Sequence, residues 1–167
     1  MKVVIIAVLL MLSAICSATE TAFSSCNRIR LKKLADDGNK SAKKAMNICD
    51  NFDKALTAIL VGNNVVNISS SSLATVLFTE KFGKGSVGLA TIVMTVLVLI
   101  FGEILPKSLA KENSERFSIL MAAPLSAFMF IITPITAIFM GIKSGVSKLV
   151  GNKNSAVSYT HLRAHET

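Results

Sequence analysis

Four apolar runs leave this chain little choice of fold. They cover Val3–Thr19, Ala55–Thr79, Gly85–Gly102 and Phe117–Ile142. About 20 apolar residues suffice for a helix to cross a bilayer. In lipid every backbone N–H and C=O must find a partner within the protein, so such runs become helices. The totals agree: 51% of residues are hydrophobic, 17% are charged, and the mean hydropathy is +0.58. An ordinary soluble domain carries more charge than this. The predicted fold class is therefore an all-α membrane protein, with the lipid bilayer as its first partner.

The net charge of +8 would suggest nucleic acid in a soluble protein. Here the basic residues flank apolar runs and form no stripe on a polar face, so nucleic acid is excluded as a partner. Those charges set an orientation instead. Arg28, Arg30, Lys32, Lys33, Lys40, Lys43, Lys44 and Lys54 crowd the segment between the first two runs. Such a cluster belongs in the cytoplasm. The N-terminus is then outside, the first helix descends, the second climbs, and the turn Glu80–Lys84 is external. The third helix descends and returns Lys107, Lys111 and Arg116 to the cytoplasm. The predicted location is the inner (plasma) membrane, crossed several times. Lys2 and the apolar stretch ending Ser13-Ala14-Ile15-Cys16-Ser17-Ala18 could also be read as a cleavable secretory signal. Against that stand Ser13, Ser17, Thr19 and Glu20, polar residues at helical spacing that a discarded peptide does not need.

The fourth run fits less simply. A full crossing would export Lys143, Lys148 and Lys153, and Pro124 and Pro134 are expected to break a continuous helix. The preferred reading is a bent segment along the cytoplasmic face; a fourth span is the alternative. Between Asn27 and Asp53 the chain is polar and helix-prone, and Asp36-Asp37-Gly38-Asn39 reads as a turn. Two short cytoplasmic helices are predicted there. Cys16, Cys26 and Cys49 are odd in number and unpaired in spacing, so neither zinc nor a disulfide framework is expected of them. From Ser155 to Thr167 the chain loses apolar periodicity and gathers both histidines. This tail resembles translated read-through of a sequencing adapter and is set aside from the fold.

Chemistry concentrates in the few polar residues inside the runs. Glu103 closes the third run, in Gly102-Glu103-Ile104-Leu105-Pro106-Lys107. A carboxylate at membrane depth costs several kcal/mol and is by default an ion or proton site. The flanking Gly102 and Pro106 are expected to loosen the helix and free backbone carbonyls beside it. Ser13 and Ser17 share one helix face, and so do Asn63 and Asn67. Three helices thus offer hydroxyls, amide carbonyls and one carboxylate. Oxygen ligands alone suit magnesium, calcium, manganese or sodium. Serine and asparagine also join membrane helices through ordinary hydrogen bonds, which is the competing role for them. Glu20 is read as a helix-end contact. Lys107 is read as marking the cytoplasmic end or as neutralising Glu103 when no ion is bound.

Three strings carry a family resemblance. Leu12-Ser13-Ala14-Ile15-Cys16-Ser17-Ala18-Thr19-Glu20-Thr21-Ala22, Gly62-Asn63-Asn64-Val65-Val66-Asn67 and Gly102-Glu103-Ile104-Leu105-Pro106-Lys107 occur in this order. Together they resemble the transmembrane domain of the CNNM/CorC magnesium transporters, in the bacterial branch often labelled hemolysin-related. The resemblance implies a domain over 1–151, with spans at about 3–24, 55–79 and 85–106 and a juxtamembrane belt helix at about 112–149. Residues 152–167 form the tail. It further implies a homodimer, and Mg2+ held by Ser13, Ser17, Asn63, Asn67, Gly102 and Glu103. Asn64 is a weaker member, since some relatives carry an apolar residue there. Export of magnesium with Na+ as coupling ion is what the family suggests. Its members usually continue into a cytoplasmic pair of CBS domains, which is missing from this sequence, so ATP binding is assigned to none of these residues.

The expectation is a magnesium transporter with no catalytic residues. A membrane-anchored magnesium sensor or scaffold that regulates another transporter is the alternative. A lytic pore would need a continuous polar stripe, whereas these polar residues cluster. No nucleophile elbow or phosphate-binding glycine loop points to an enzyme.

Overall fold

The computed structural model describes the backbone of residues 1–151 and the side chains of residues 1–134. The adapter-like tail lies outside the described residues. Within them the chain is helical, with no strand. Helix α1 is Lys2–Ser25, α2 Arg28–Asp36, α3 Lys40–Asp50, α4 Phe52–Phe82, α5 Val87–Leu97, α6 Leu105–Glu112 and α7 Ser114–Gly151. A short 3-10 turn, Lys84–Ser86, leads into α5, and a π-helical segment, Val98–Ile104, joins α5 to α6. Residues Met1–Ile132 form one compact unit.

Three helices are long and apolar enough to cross a membrane: Lys2–Ser25, Lys84–Glu112 and Ser114–Pro134. The number matches expectation, but the set differs. Helix α4 has 31 residues, ample length for a span, yet it is not among the three. Its Asn63, Asn64, Asn67 and the four serines Ser69–Ser72 dilute its hydropathy. Helix α4 packs most extensively against α1.

The segment between α1 and α4 folds as predicted into two short helices. Asn27 caps α2 by accepting from the N–H groups of Ile29 and Arg30, and Asn39 caps α3 through Ser41 and Ala42. Each cap satisfies donors the helix cannot reach itself and contributes about 1 kcal/mol. Between them Gly38 has φ +92°, the left-handed geometry that ends a helix and that other residues adopt at a cost. Leu31, Ala45, Ile48 and Cys49 turn inward onto Phe23 of α1 and onto Ala55 and Ile59 of α4.

Helix α7 corrects the sequence reading. Pro124 and Pro134 do not interrupt it; it runs unbroken from Ser114 to Gly151. A proline inside a helix costs about 3 kcal/mol, but packing can absorb that loss. Around Pro124 the flanking Ala122 and Leu125 are buried in the cluster with Phe23, Ala55 and Ile59. Glu115 near its start pairs with Arg30 of α2 at 3.1 Å.

Helices α1 and α4 are antiparallel. Lys2 at the start of α1 pairs with Glu80 near the end of α4, and Phe23 at the other end of α1 packs beside Ala55 and Ile59. The stretch from α5 to α6 runs parallel to α1: Met94 clusters with Ile6, Lys107 pairs with Glu20, and Ala110 packs on Ala18 and Ala22. The interior is therefore layered. Ile6, Ala74 and Met94 make one apolar layer. The Phe23 and Ala18 clusters make the other. Between these lie the polar residues.

Candidate functional site

Ser13 is the hub of the polar layer. It is fully buried, and its hydroxyl donates to Asn63 Oδ1 at 2.9 Å. On another side Ser13 faces the backbone of Gly102. A Cβ at position 102 would lie 2.9 Å from Ser13 Oγ, closer than real side chains come. Only a glycine lets the π segment approach α1 this closely. Ser13, Asn63 and Gly102 thus form one rung that joins three helical segments.

Ser17 and Asn67 lie off that rung. Helices α1 and α4 are antiparallel, so the step from Ser13 to Ser17 and the step from Asn63 to Asn67 go in opposite directions. Each step is four residues, slightly more than one helical turn, about 6 Å along the axis. The expected cluster is therefore a file of oxygens along the bundle. Both outer members are unsatisfied: Ser17 Oγ and Asn67 Oδ1 are buried and have no hydrogen-bond partner. A buried polar atom without a partner inside the protein is rare. By contrast the backbone around Asn67 is well served, since Ser70 donates to its carbonyl at 3.0 Å.

Glu103 follows Gly102 and is half-buried. Lys107, expected as a possible counter-charge, pairs with Glu20 of α1 at 3.4 Å instead. Among the described residues no hydrogen bond or ion pair engages the Glu103 carboxylate. The loosening expected from Gly102 and Pro106 takes a specific form: the helix widens to π geometry, and the N–H of Leu105 donates five residues back to Ile100. Pro106, without an N–H, cannot donate to the carbonyls of Phe101 or Gly102. Widened turns of this kind recur at functional sites. Asn64 is exposed on another face of α4.

One residue escaped the sequence reading as a site element. Gly62, beside Asn63, carries the ring of Phe128 from α7; a Cβ at position 62 would meet Phe128 Cζ at 2.5 Å. The signal for it is only a small residue next to the asparagine pair, which is visible but not specific. Among the described residues no group of three or more His, Cys, Asp or Glu converges on a point that could hold a metal.

A profile of the Cyclin M transmembrane N-terminal domain, CNNM, matches residues 4–164. The chain belongs to the CNNM family. That membership makes it a multi-pass membrane protein of a divalent-cation transport family, one of transport and regulatory proteins. Among CNNM relatives, a UPF0053 protein of Haemophilus influenzae is 36% identical over 150 residues, covering 90% of this chain and 36% of its own length. The UPF0053 inner membrane protein YfjD of Escherichia coli is 32% identical over 146 residues, covering 87% of this chain and 34% of its own. A chloroplastic DUF21 domain-containing protein of Arabidopsis thaliana is 33% identical over 155 residues, covering 93% and 24%. The chain thus spans about a third or less of the curated relatives it matches.

Proposed function

We propose that this bundle moves Mg2+ across the membrane along the file formed by Ser17, the Ser13–Asn63–Gly102 rung with Glu103, and Asn67. The observation that carries the reading is the pair of buried, unpartnered oxygens, Ser17 Oγ and Asn67 Oδ1, on either side of a satisfied rung. Magnesium binds oxygen at about 2.0–2.1 Å in near-octahedral geometry and gives up water reluctantly. Hydroxyls and amide carbonyls can replace that water one at a time. Glu103 supplies the only full negative charge on this path, so the net charge of a bound ion stays positive and release stays easy. The Gly102 carbonyl, which Pro106 cannot satisfy, is the backbone member of the set. Apolar layers at both ends of the polar layer supply the barriers that alternating access must open in turn.

The same reading takes the N-terminus as external and the α2–α3 pair as cytoplasmic, because that pair holds the densest basic cluster. It takes the working unit as a homodimer and the driving force as sodium entry, with α7 as a belt beside the core. The CBS pair would belong to the remaining length of a full protein, consistent with the third or less of each relative matched here.

The deciding experiment loads liposomes with Mg2+ and a fluorescent indicator around the reconstituted chain. Wild type should release Mg2+, and Glu103→Gln should slow release by at least about tenfold, a barrier change near 1.4 kcal/mol. Mg2+ binding without flux in wild type would favour the sensor reading. Equal flux in both proteins would overturn the role of Glu103.

A further inference from the structure

The ends of α1 and α3 meet through sulfur. Cys26 Sγ lies 3.5 Å from Cys49 Sγ, and both cysteines are free. The third cysteine, Cys16, sits earlier on α1, about 15 Å away by helical rise. Sequence spacing gave no reason to pair any of them. The fold pairs two, because the α2–α3 hairpin returns its last turn to the base of α1.

The two thiols are not equivalent. Cys49 is buried, at 2% exposure, in the cluster with Phe23, Ala45 and Ile48. Cys26 is half-buried, at the junction of α1 and α2, and reachable from solvent. A guanidinium stands beside them, since Arg28 Nη2 donates to the Cys49 carbonyl at 2.9 Å. The Cys49 thiol as hydrogen-bond donor, followed by the Ser118 hydroxyl and the Arg28 charge, outweighs burial and brings the Cys26 thiol down to about 7. The same hydrogen bond, together with burial, pushes the Cys49 thiol up. Thiolate, not thiol, is the nucleophile, so an exposed thiolate next to a buried thiol is the arrangement of an attacking and a resolving cysteine.

We propose that Cys26 and Cys49 form a reversible oxidation site for hydroperoxides, with Cys26 attacking and Cys49 resolving. In the first step the Cys26 thiolate attacks the terminal oxygen of the hydroperoxide, forming an S–O bond as the O–O bond breaks. Cys26 becomes a sulfenic acid, and the peroxide leaves as an alkoxide, or as hydroxide from hydrogen peroxide, which takes up one proton. In the second step the Cys49 sulfur attacks the Cys26 sulfur. The S–O bond breaks, water leaves with the Cys49 proton, and a disulfide forms. Two thiols lose two electrons, and one hydroperoxide gains them. A dithiol reductant reverses the change by thiol–disulfide exchange. The disulfide would tie the base of α1 to the last turn of α3 and close the whole α2–α3 hairpin into a loop. A reducing cytosol would keep the pair open at rest.

The test uses the full chain in detergent micelles with substoichiometric hydrogen peroxide, then blocking of free thiols and peptide mass mapping. Wild type should lose two hydrogen atoms, show a Cys26–Cys49 linked peptide, leave Cys16 free, and recover with dithiothreitol. Cys49→Ser should instead accumulate a Cys26 sulfenic acid that a dimedone probe captures. Cys26→Ser should react with peroxide at least about tenfold more slowly, because the thiol at the helix junction is gone and Cys49 is buried. Iodoacetamide labelling of Cys26 in Cys49→Ala should fall behind wild type at pH 7, since the donor that lowers its thiol is gone. Peptides linking Cys16, or equal peroxide rates in wild type and Cys26→Ser, would overturn the proposal. So would a linked peptide that fails to form while circular dichroism shows an intact helical fold.

Discussion

The Cβ that Gly102 lacks would lie 2.9 Å from the hydroxyl oxygen of Ser13. That oxygen is already committed to Asn63 at 2.9 Å. The two contacts share one atom, so a change at position 102 reaches α4 through α1. Gly102→Ala has two opposing effects. Alanine raises helix propensity by about 0.8–1 kcal/mol. Overpacking costs about 1–3 kcal/mol when the neighbour cannot give. Ser13 is fully buried, so it yields only by breaking its bond to Asn63. The variant should melt below wild type. Adding Ser13→Ala should recover part of the loss, because the hydroxyl that meets the new methyl is then absent. A double-mutant cycle in thermal unfolding reads the coupling; additive losses would mean that the two positions do not touch.

Gly62→Ala should destabilise by a different contact. Its methyl would come within 2.5 Å of Phe128 Cζ. An aromatic ring cannot yield at one atom, so it must rotate or α7 must move away. A loss of about 1–3 kcal/mol is expected. Phe128→Leu should restore much of it in the double variant. Trypsin digestion of the native protein offers a second readout, because a displaced α7 would break the pair between Glu115 and the exposed Arg30 and loosen α2 around that cleavage point.

Much of this was legible in the sequence, for physical reasons. Long apolar runs can only be helices in lipid, and Asp36-Asp37-Gly38-Asn39 carries its own turn chemistry. Glu103 between a glycine and a proline announced an irregular helix. Other features depend on three-dimensional partners that no local pattern encodes. Pro124 should have broken α7 by propensity, and tertiary packing of Ala122 and Leu125 overrode it. Lys107 is within one turn of Glu103 but pairs with Glu20 across helices. The serine and asparagine pairs share helix faces as expected, yet the antiparallel packing of α1 and α4 spreads them along an axis. Helix direction follows from connectivity, but its consequence for two i, i+4 pairs needs the register, which only the Ser13–Asn63 bond fixes. Cys26 and Cys49 met for the same kind of reason.

Glu20 and Lys107 should matter little to ion handling. Their side chains are 26% and 41% exposed, and the pair is at 3.4 Å. Partly exposed ion pairs contribute about 0–1 kcal/mol. Glu20→Gln and Lys107→Gln should each shift unfolding slightly, and their coupling should shrink further as salt is raised. Mg2+ release from liposomes should stay within about threefold of wild type for both, a difference under 1 kcal/mol. A loss as deep as that of Glu103→Gln would mean that Lys107 does sense the ion.

Ser17 and Asn67 permit a test in which stability and binding move in opposite directions. Each buries an oxygen without a partner. Holding such an atom away from water costs about 1–3 kcal/mol. Ser17→Ala removes the unsatisfied hydroxyl and leaves the helix intact, so it should stabilise the protein or leave it unchanged when no divalent ion is present. Asn67→Leu fills similar volume with apolar atoms and should do the same. If these oxygens receive Mg2+, wild type should gain stability as the ion is added, following the linkage between binding and folding. The variants should gain much less. Thermal unfolding in chelator and in a Mg2+ series separates the two contributions. An ordinary structural hydroxyl would show the reverse: a destabilised variant in chelator and an unchanged response to Mg2+.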